Sequence, residues 1–166
     1  MPCRRCAGRC AGAGPTLDSG EIVTRSEAET EELGASLAPS FSAREVVYLT
    51  GELGAGKTAL ARGIARGLGA GEREVASPTF ALLHEYAGSG GRIVLRHLDL
   101  YRLADDPRQL EVLGLPDALS GAPVCVEWPG AAIRSVLPPT LEIRLDTLPD
   151  EGRRIRVARL PGSGGP

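Results

Sequence analysis

One eight-residue segment, Gly51-Glu52-Leu53-Gly54-Ala55-Gly56-Lys57-Thr58, constrains the fold of this chain more than any other feature. It fits G-x-x-x-x-G-K-[ST], the glycine-rich loop whose backbone N–H groups wrap around phosphates. That loop must follow a buried strand and open a helix. Glu45–Thr50 is an apolar, β-branched run that predicts the strand, and Lys57–Leu68 carries apolar residues at helical spacing. The segment therefore predicts an α/β domain that binds a nucleoside triphosphate.

Lys57 is the only lysine in the chain, and every other basic residue is arginine. An ammonium on a flexible stem reaches the outer phosphates, whereas a bulkier, forked guanidinium would not fit the same space. The single lysine also excludes the Asn-Lys-x-Asp motif with which guanine-specific switches read their base. The sequence therefore favours ATP over GTP.

Length and charge set ordinary bounds. The length of 166 residues predicts one domain. The net charge of −2 gives no sign of a positively charged surface that would bind nucleic acid. No apolar run approaches the roughly 20 residues that span a bilayer, and Met1–Gly20 lacks the apolar segment of a secretory signal. We expect a soluble, cytoplasmic protein without membrane contact. Its predicted parts are a disordered leader (1–20), a P-loop ATPase domain (21–160) and a disordered tail (161–166).

The cysteines lie in two places. Cys3, Cys6 and Cys10 stand close together in a leader rich in Ala, Gly and Arg. Three thiols could ligate zinc or an iron–sulfur cluster, but such sites normally need four ligands and a fold that buries them. The composition favours a disordered leader over a metal site. Cys125 lies in an apolar run and is expected to be a small buried residue.

The rest of the chain predicts an alternation of strands and helices. Ser26 with Glu29 forms a capping box that opens a helix toward Leu37, and Arg108–Leu119 is a second helix candidate. A glycine-rich turn at 88–91 predicts a hairpin, and two alternating segments near the end predict half-exposed paired strands. The predicted strands, besides the one before the loop, are 21–24, 80–86, 93–98, 123–127, 141–145 and 155–160.

Two acidic residues stand at the ends of predicted strands, where α/β sheets place ligands. These are Asp99 and Glu127. A triphosphate needs Mg²⁺, to which Thr58 would supply a hydroxyl, and hydrolysis needs a carboxylate that orients the attacking water. Glu127 follows uncharged residues directly and has the cleaner Walker-B pattern, but the residues alone do not divide the two roles. Taken alone, each of these acidic residues could equally be a charged residue at the edge of the sheet with no role in a site.

Other polar residues admit two interpretations each. Thr79, in Ser-Pro-Thr-Phe, could sense the terminal phosphate or belong to a plain turn. Trp128, the only tryptophan, could pack in the core, cover the site or face a partner. For His84 and His97 a hydrogen-bonded structural role is favoured over metal ligation. Arg102 could offer a cation to phosphate or form a surface ion pair.

As an ordered set, the motifs resemble the TsaE (YjeE) family, the bacterial ATPases required for making threonylcarbamoyladenosine in transfer RNA. The resemblance runs from about Glu21 to Leu160. The motifs that carry it are Gly51–Thr58, Ser77-Pro78-Thr79-Phe80, Glu85-Tyr86, His97-Leu98-Asp99-Leu100-Tyr101-Arg102, Gly114-Leu115 and Glu127-Trp128-Pro129.

The resemblance implies a three-layer P-loop NTPase fold with a mixed, mostly parallel central sheet. It implies weak ATP hydrolysis alone, action with the partner proteins TsaD and TsaB, and contact with tRNA through that pair. Asp99 and Glu127 would serve Mg²⁺ and hydrolysis, and Thr79 would be the switch residue. The resemblance also implies that Trp128 is functionally important and that the segment around Ser26 approaches the nucleoside.

Two departures from the family pattern are mild. Glu52 stands where the family more often has Asp, and Ala59 replaces a common Thr or Ser. Neither removes a backbone N–H from the loop. Two other functions remain open at this stage, namely an autonomous small-molecule kinase and a nucleotide-gated binding module whose hydrolysis is incidental.

Overall fold

A computed structural model describes residues 20–76, 82–103, 110 and 121–161. Within these ranges lie eight strands and three α-helices with described bounds. In chain order they are β1 Glu21–Thr24, α1 Glu27–Leu37, β2 Val46–Gly51, α2 Lys57–Gly67, β3 Ala70–Ala76, β4 Leu83–Gly88, β5 Ile93–Asp99, β6 Val124–Glu127, α3 Ala131–Val136, β7 Leu141–Thr147 and β8 Arg153–Arg159.

All eight strands belong to one mixed sheet in the order β1-β8-β7-β2-β6-β5-β4-β3. The central strands β7, β2, β6 and β5 run parallel, and antiparallel strands extend the sheet on both sides. The predicted hairpin is confirmed, because β4 and β5 pair across a short 3-10 turn at Ser89–Gly91. The predicted pairing of the two last strands is confirmed as well. The result is the α/β class with a parallel centre.

The sheet is covered on both faces, which gives three layers. Alternate residues of the central strands point to opposite faces. On one face Val47 and Leu49 of β2 pack in a core with α1 and α2. On the other face Val46 and Tyr48 pack with Ile133 of α3. Strand β2 is thus buried on both sides, as its continuous apolar run predicts.

Helix α1 begins as the sequence predicts. The Ser26 hydroxyl oxygen accepts a hydrogen bond from the backbone N–H of Glu29 at 3.1 Å, and the Glu29 carboxylate accepts one from the N–H of Arg25 at 2.7 Å. The first bond satisfies a donor of the first helical turn that has no intrahelical partner, and the second ties the residue before the cap to the helix. Thr30 adds an anchor, since its hydroxyl bonds that of Thr24 on β1 at 2.8 Å. The capping bonds and this anchor fix the start of α1 beside the sheet.

Two elements were not predicted from the sequence, and a third begins later than predicted. Strand β3 was missed because Ala-Gly-Glu-Arg-Glu-Val-Ala has no apolar alternation, and it pairs only with β4, through an irregular register. Helix α3 was missed because its six residues are too few for a helical period to show. The strand expected from Phe80 begins at Leu83, after a turn at Leu82.

Some predictions lie outside the described residues. These are the leader cysteines, Thr79 with its neighbours, the tail from 162 onward, and the helix at 108–119 except for Leu110, which is helical and buried.

Cys125 is fully buried, as expected, and burial raises the pKa of its thiol. In the described part of the chain, no helix is long and apolar enough to cross a bilayer.

Helices α1 and α2 approach each other closely through glycine. A Cβ on Gly63 would stand 2.0 Å from the carbonyl oxygen of Glu31, and one on Gly34 would stand 2.4 Å from that of Leu60. Both neighbours are backbone atoms, so a side chain could be admitted only by moving a helix apart from its partner. This packing sets the position of α2, and with it the loop that opens α2.

We predict that Gly63→Ala destabilises the protein by roughly 1–3 kcal/mol through overpacking, although alanine is the better helix former. Urea denaturation of the variant and the wild type measures the free energy of unfolding. Gly71→Ala is the matched control, because the nearest atom to a Cβ there is 3.8 Å away, and we expect a change within about 0.5 kcal/mol. Equal stability of Gly63→Ala and the wild type would contradict the close packing.

Candidate nucleotide-binding site

A cavity of about 300 Å³ opens at the carboxyl ends of the central parallel strands. The register of the sheet brings its acidic residues together, since Glu127 at the end of β6 lies beside Asp99 on β5 and Leu49 on β2. Eight of the residues that the sequence predicts for the site line this cavity: Leu53, Gly54, Gly56, Lys57, Thr58, Asp99, Glu127 and Trp128. The structure thus gathers the loop, both acids and the tryptophan in one place.

The loop takes a backbone course that requires glycine. Gly56 has φ = 98° and stands at the N-cap of α2, a left-handed conformation that other residues rarely adopt. Gly51 has φ = 141°, and a Cβ there would meet the carbonyl oxygen of Leu145 at 2.1 Å. The loop therefore turns sharply from β2 into the first turn of α2. A helix N-terminus presents unpaired N–H groups and a positive dipole end, which together favour an anion.

The Lys57 ammonium is held by the loop that precedes it. Its Nζ donates to the carbonyl oxygens of Gly51 at 2.9 Å and Glu52 at 2.7 Å. It also lies 4.0 Å from the centroid of the Trp128 ring, where a cation is attracted to the π face. The side chain is only 4% exposed. Burial lowers the pKa of Lys57, and the charges of Glu127 and Asp99 oppose that shift.

Glu127 accepts two hydrogen bonds on one oxygen. Thr58 Oγ1 donates to its Oε1 at 2.8 Å, and His97 Nε2 lies 2.8 Å from the same Oε1. Burial alone would raise the pKa of this carboxyl, but the bonds from His97 and Thr58 and the charge of Lys57 bring it below its ordinary value. Glu127 is therefore a carboxylate at neutral pH although it is 3% exposed.

The oxygens at the site suit a magnesium ion. Mg²⁺ prefers oxygen ligands and keeps several waters, so a hydroxyl and one or two carboxylates are sufficient protein ligands. Thr58 and Glu127 are already within hydrogen-bond distance of each other, and Asp99 lines the same cavity. In the described ranges no group of three or more His, Cys, Asp and Glu side chains forms a metal cluster. The donor set fits an ion that arrives with a nucleotide.

Aromatic side chains form one wall of the cavity. Trp128 contacts Tyr101, with the two ring centroids 4.9 Å apart, and the backbone N–H of Tyr101 donates to Asp99 Oδ1 at 3.0 Å. Trp128 itself has φ = 58°. A bulky residue in the left-handed region is strained and is commonly found at functional sites. Tyr101 is 54% exposed, so this wall reaches the protein surface.

The structure separates a few of the sequence-predicted residues from the cavity. Gly51, Glu52 and Ala55 shape the loop but do not line the cavity. Ser26 caps α1 through its hydroxyl, while the next residue, Glu27, does reach the cavity wall. The proposed contact of Ser26 with a nucleoside stays a prediction, as does the switch role of Thr79.

Four polar or charged residues of the site were not predicted. His97 contacts Glu127 directly, and its position two residues before Asp99 on a strand could have suggested a shared face. Glu27, Arg62 and Arg153 come to the cavity from α1, α2 and β8. Arg153 is distant from the motifs in sequence and carries no local signal, because only the sheet order brings β8 near the loop. Arg62 lies one turn after Thr58 on the same helix, and Glu27 directly follows Ser26, so the helical period and the cap could have suggested both.

Comparison with known proteins gives the family of the chain. The family model described as "Threonylcarbamoyl adenosine biosynthesis protein TsaE" matches residues 24–155. The chain belongs to the TsaE family. The TsaE protein of Treponema pallidum is 41% identical over 138 residues, which cover 82% of this chain and 98% of that protein. The TsaE protein of Streptomyces coelicolor is 37% identical over 134 residues, 80% of this chain and 90% of that protein.

A solved structure supports the fold independently. The crystal structure of Bacillus subtilis YdiB superposes with a TM-score of 0.60 at 28% sequence identity, covering 86% of this chain and 87% of that one. The predicted P-loop fold is thus confirmed. TsaE proteins take part in tRNA threonylcarbamoyladenosine biosynthesis, and the P-loop fold of the family is one that binds nucleotides.

We predict that Glu127 gives the protein a stability that is lost in acid. The folded state holds the pKa of this carboxyl below its ordinary 4.5. Its contribution is therefore fully present above that value and disappears as the pH falls through the lower folded pKa. Urea unfolding of the wild type and Glu127→Gln should show a free-energy difference that is constant well above pH 4.5 and shifts against the wild type as the pH falls below that value. A difference that stays constant below that value as well would contradict the hydrogen-bonded carboxylate.

Proposed function

We propose that this chain is a Mg²⁺-dependent ATPase of the tRNA threonylcarbamoyladenosine pathway that acts with TsaD and TsaB. The observation that carries the proposal is the arrangement of Lys57, Thr58 and Glu127 around one cavity at the N-terminus of α2. Membership of the TsaE family supplies the pathway. A location in the cytoplasm follows from the pathway, because the protein would act where tRNA is modified.

Binding would begin with the phosphates. The N–H groups at the start of α2 offer hydrogen bonds to the inner phosphates, and the Lys57 ammonium offers charge to the outer ones. Lys57 now donates to two loop carbonyls. Phosphate oxygens are stronger acceptors than carbonyls because they are charged, so a triphosphate can take over these bonds without the ammonium leaving its buried position.

A magnesium ion that arrives with ATP would supply positive charge where negative charge develops on the outer phosphates. Thr58 is the residue placed to hold it by a hydroxyl, with Asp99 and Glu127 as carboxylate partners. Glu127, ionised and fixed by two hydrogen bonds, would orient the attacking water. Its lowered pKa makes it a weak base, so positioning of the water is its main contribution in a loose transition state.

The reaction consumes ATP and water and releases ADP, phosphate and a proton. A phosphate acceptor other than water would make the chain a kinase instead. The aromatic wall of Trp128 and Tyr101 is suited either to cover the bound nucleotide or to meet a partner protein, because it joins the cavity to the surface. The tRNA would be reached through TsaD and TsaB, in keeping with the small net charge.

The decisive experiment is phosphate release from Mg²⁺–ATP by the chain alone and after addition of a TsaD–TsaB pair. We expect a slow rate alone that the pair increases. Glu127→Ala should lower the stimulated rate by roughly 10²-fold, the scale of the loss when a reacting group is no longer positioned. A rate that the pair leaves unchanged would contradict the pathway assignment, and phosphate transferred to a metabolite would show a kinase.

Controls separate binding from hydrolysis. Lys57→Ala should weaken ATP binding at least tenfold in calorimetry, since it removes a charge-assisted contact worth about 1.5–3 kcal/mol. Glu32→Ala, on an exposed part of α1 and away from the cavity, should leave both binding and rate unchanged. Unchanged ATP affinity in Lys57→Ala would overturn the phosphate-loop assignment. Full cellular function of Glu127→Ala in a TsaE-depleted strain would favour a nucleotide-gated binding module.

A further inference from the structure

His97 lies inside the protein, one strand away from the glutamate of the site. It belongs to β5, where it is in register with Cys125 of β6, and it is 3% exposed. Residues two apart on a strand share a face, so Glu127, two residues after Cys125, lies on the same side of β6. This geometry brings His97 and Glu127 diagonally across neighbouring strands, and Nε2 lies 2.8 Å from Oε1.

The direction of this hydrogen bond follows from the charge of its acceptor. An ionised carboxylate has no proton to give, so Nε2 must carry the hydrogen and donate it. Thr58 Oγ1 donates to the same oxygen from the opposite element, the first turn of α2. Oε1 therefore receives one donor from the sheet and one from the helix, and these two contacts fix the rotation of the carboxylate.

The other oxygen of Glu127 is left for the cavity. Among the residues that the structure describes, both hydrogen bonds to the Glu127 side chain end at Oε1. The carboxylate itself lines the cavity together with Asp99 and Lys57. One oxygen is thus used to hold the side chain, and the second is available to a water or an ion at the site.

The imidazole is itself held in place. Its ring stacks on Tyr86 with 23° between the planes and 6.4 Å between centroids. Tyr86 is buried, so the ring has little freedom to turn its Nε2 away from Glu127. A rigid donor of this kind determines the position of its acceptor.

We propose that His97 is a positioning residue for hydrolysis, which holds Glu127 by Oε1 so that Oε2 faces the attacking water. The inference rests on the proposed ATPase function and goes beyond it by assigning a role to the histidine of the His-x-Asp motif. His97 does not touch the nucleotide in this account. Its loss should lower turnover and leave nucleotide affinity intact.

The kinetic test compares three variants in the full chain with TsaD–TsaB present. His97→Leu removes the donor and keeps an apolar side chain in the core, and we expect kcat to fall roughly 10- to 100-fold with the ATP dissociation constant within about twofold of wild type. His97→Gln places an amide N–H close to the position of Nε2 and should recover part of that loss. His84→Gln is the matched control and should hydrolyse ATP at the wild-type rate.

Thermal unfolding of each variant separates positioning from folding. A His97→Leu protein that is folded at the assay temperature and hydrolyses at the wild-type rate would overturn the proposal. So would a loss of ATP affinity as large as the loss of kcat. If His97→Leu does not fold, the comparison of His97→Gln with His84→Gln decides, because a purely structural role predicts no split between kcat and affinity.

A spectroscopic measurement tests the contact without hydrolysis. Imidazole ¹⁵N spectra distinguish a protonated ring nitrogen from a bare one, and we expect His97 to carry hydrogen on Nε2 in the wild type and to change its signature in Glu127→Ala. A bare Nε2 in the wild type would overturn the proposal. If the wild type does not hydrolyse ATP at all, the proposed function fails, whereas this spectrum still reports whether His97 holds Glu127.

Discussion

The hydrogen bond from Thr58 to Glu127 is the contact on which the rest of the site depends. It joins the first turn of α2 to the end of β6, two elements that are 69 residues apart in the chain. The bond can form only if the sheet holds β2 beside β6, and if α2 leaves the loop at a fixed angle. The parallel centre of the sheet meets the first condition. The glycine contacts between α1 and α2 meet the second.

The site holds two opposite charges in a buried environment. Lys57 and Glu127 are both almost fully buried, and an isolated buried charge is costly. Carbonyl oxygens and an aromatic face stabilise the ammonium, while two donors stabilise the carboxylate. The bonds from His97 and Thr58, with a smaller contribution from the charge of Lys57, keep the pKa of Glu127 low despite its burial. Such preorganised charge is what phosphoryl transfer requires of a protein.

Much of the fold could be predicted from the sequence because its signals are local. The loop between β2 and α2, the cap at Ser26 and the buried run of β6 each depend on neighbouring residues alone. Strand β3 and helix α3 could not be found in this way, because one exists through pairing at the sheet margin and the other through packing on the sheet.

The residues of the site divide in the same way, into those with a local sequence signal and those placed by tertiary structure. Lys57, Thr58, Asp99 and Glu127 were found because a motif or a strand end marks them. His97 was expected to have only a structural role, since its partner is 30 residues away and the contact depends on strand register. Arg153 gave no signal either, although a Cβ on Gly56 would lie 3.1 Å from its Nε. Sequence patterns thus identify the groups that chemistry requires, and tertiary structure identifies the groups that hold them.

The central claim is that a triphosphate binds where the Lys57 ammonium now meets the loop and Trp128. Because Trp128 is the only tryptophan, its fluorescence reports on this point of the molecule alone. Titration with Mg²⁺–ATP should give a saturable change in emission as phosphate takes over Lys57, and Lys57→Met should show no such change over the same concentrations. An emission spectrum that stays constant while calorimetry records ATP binding, or an equal change in Lys57→Met, would contradict the account.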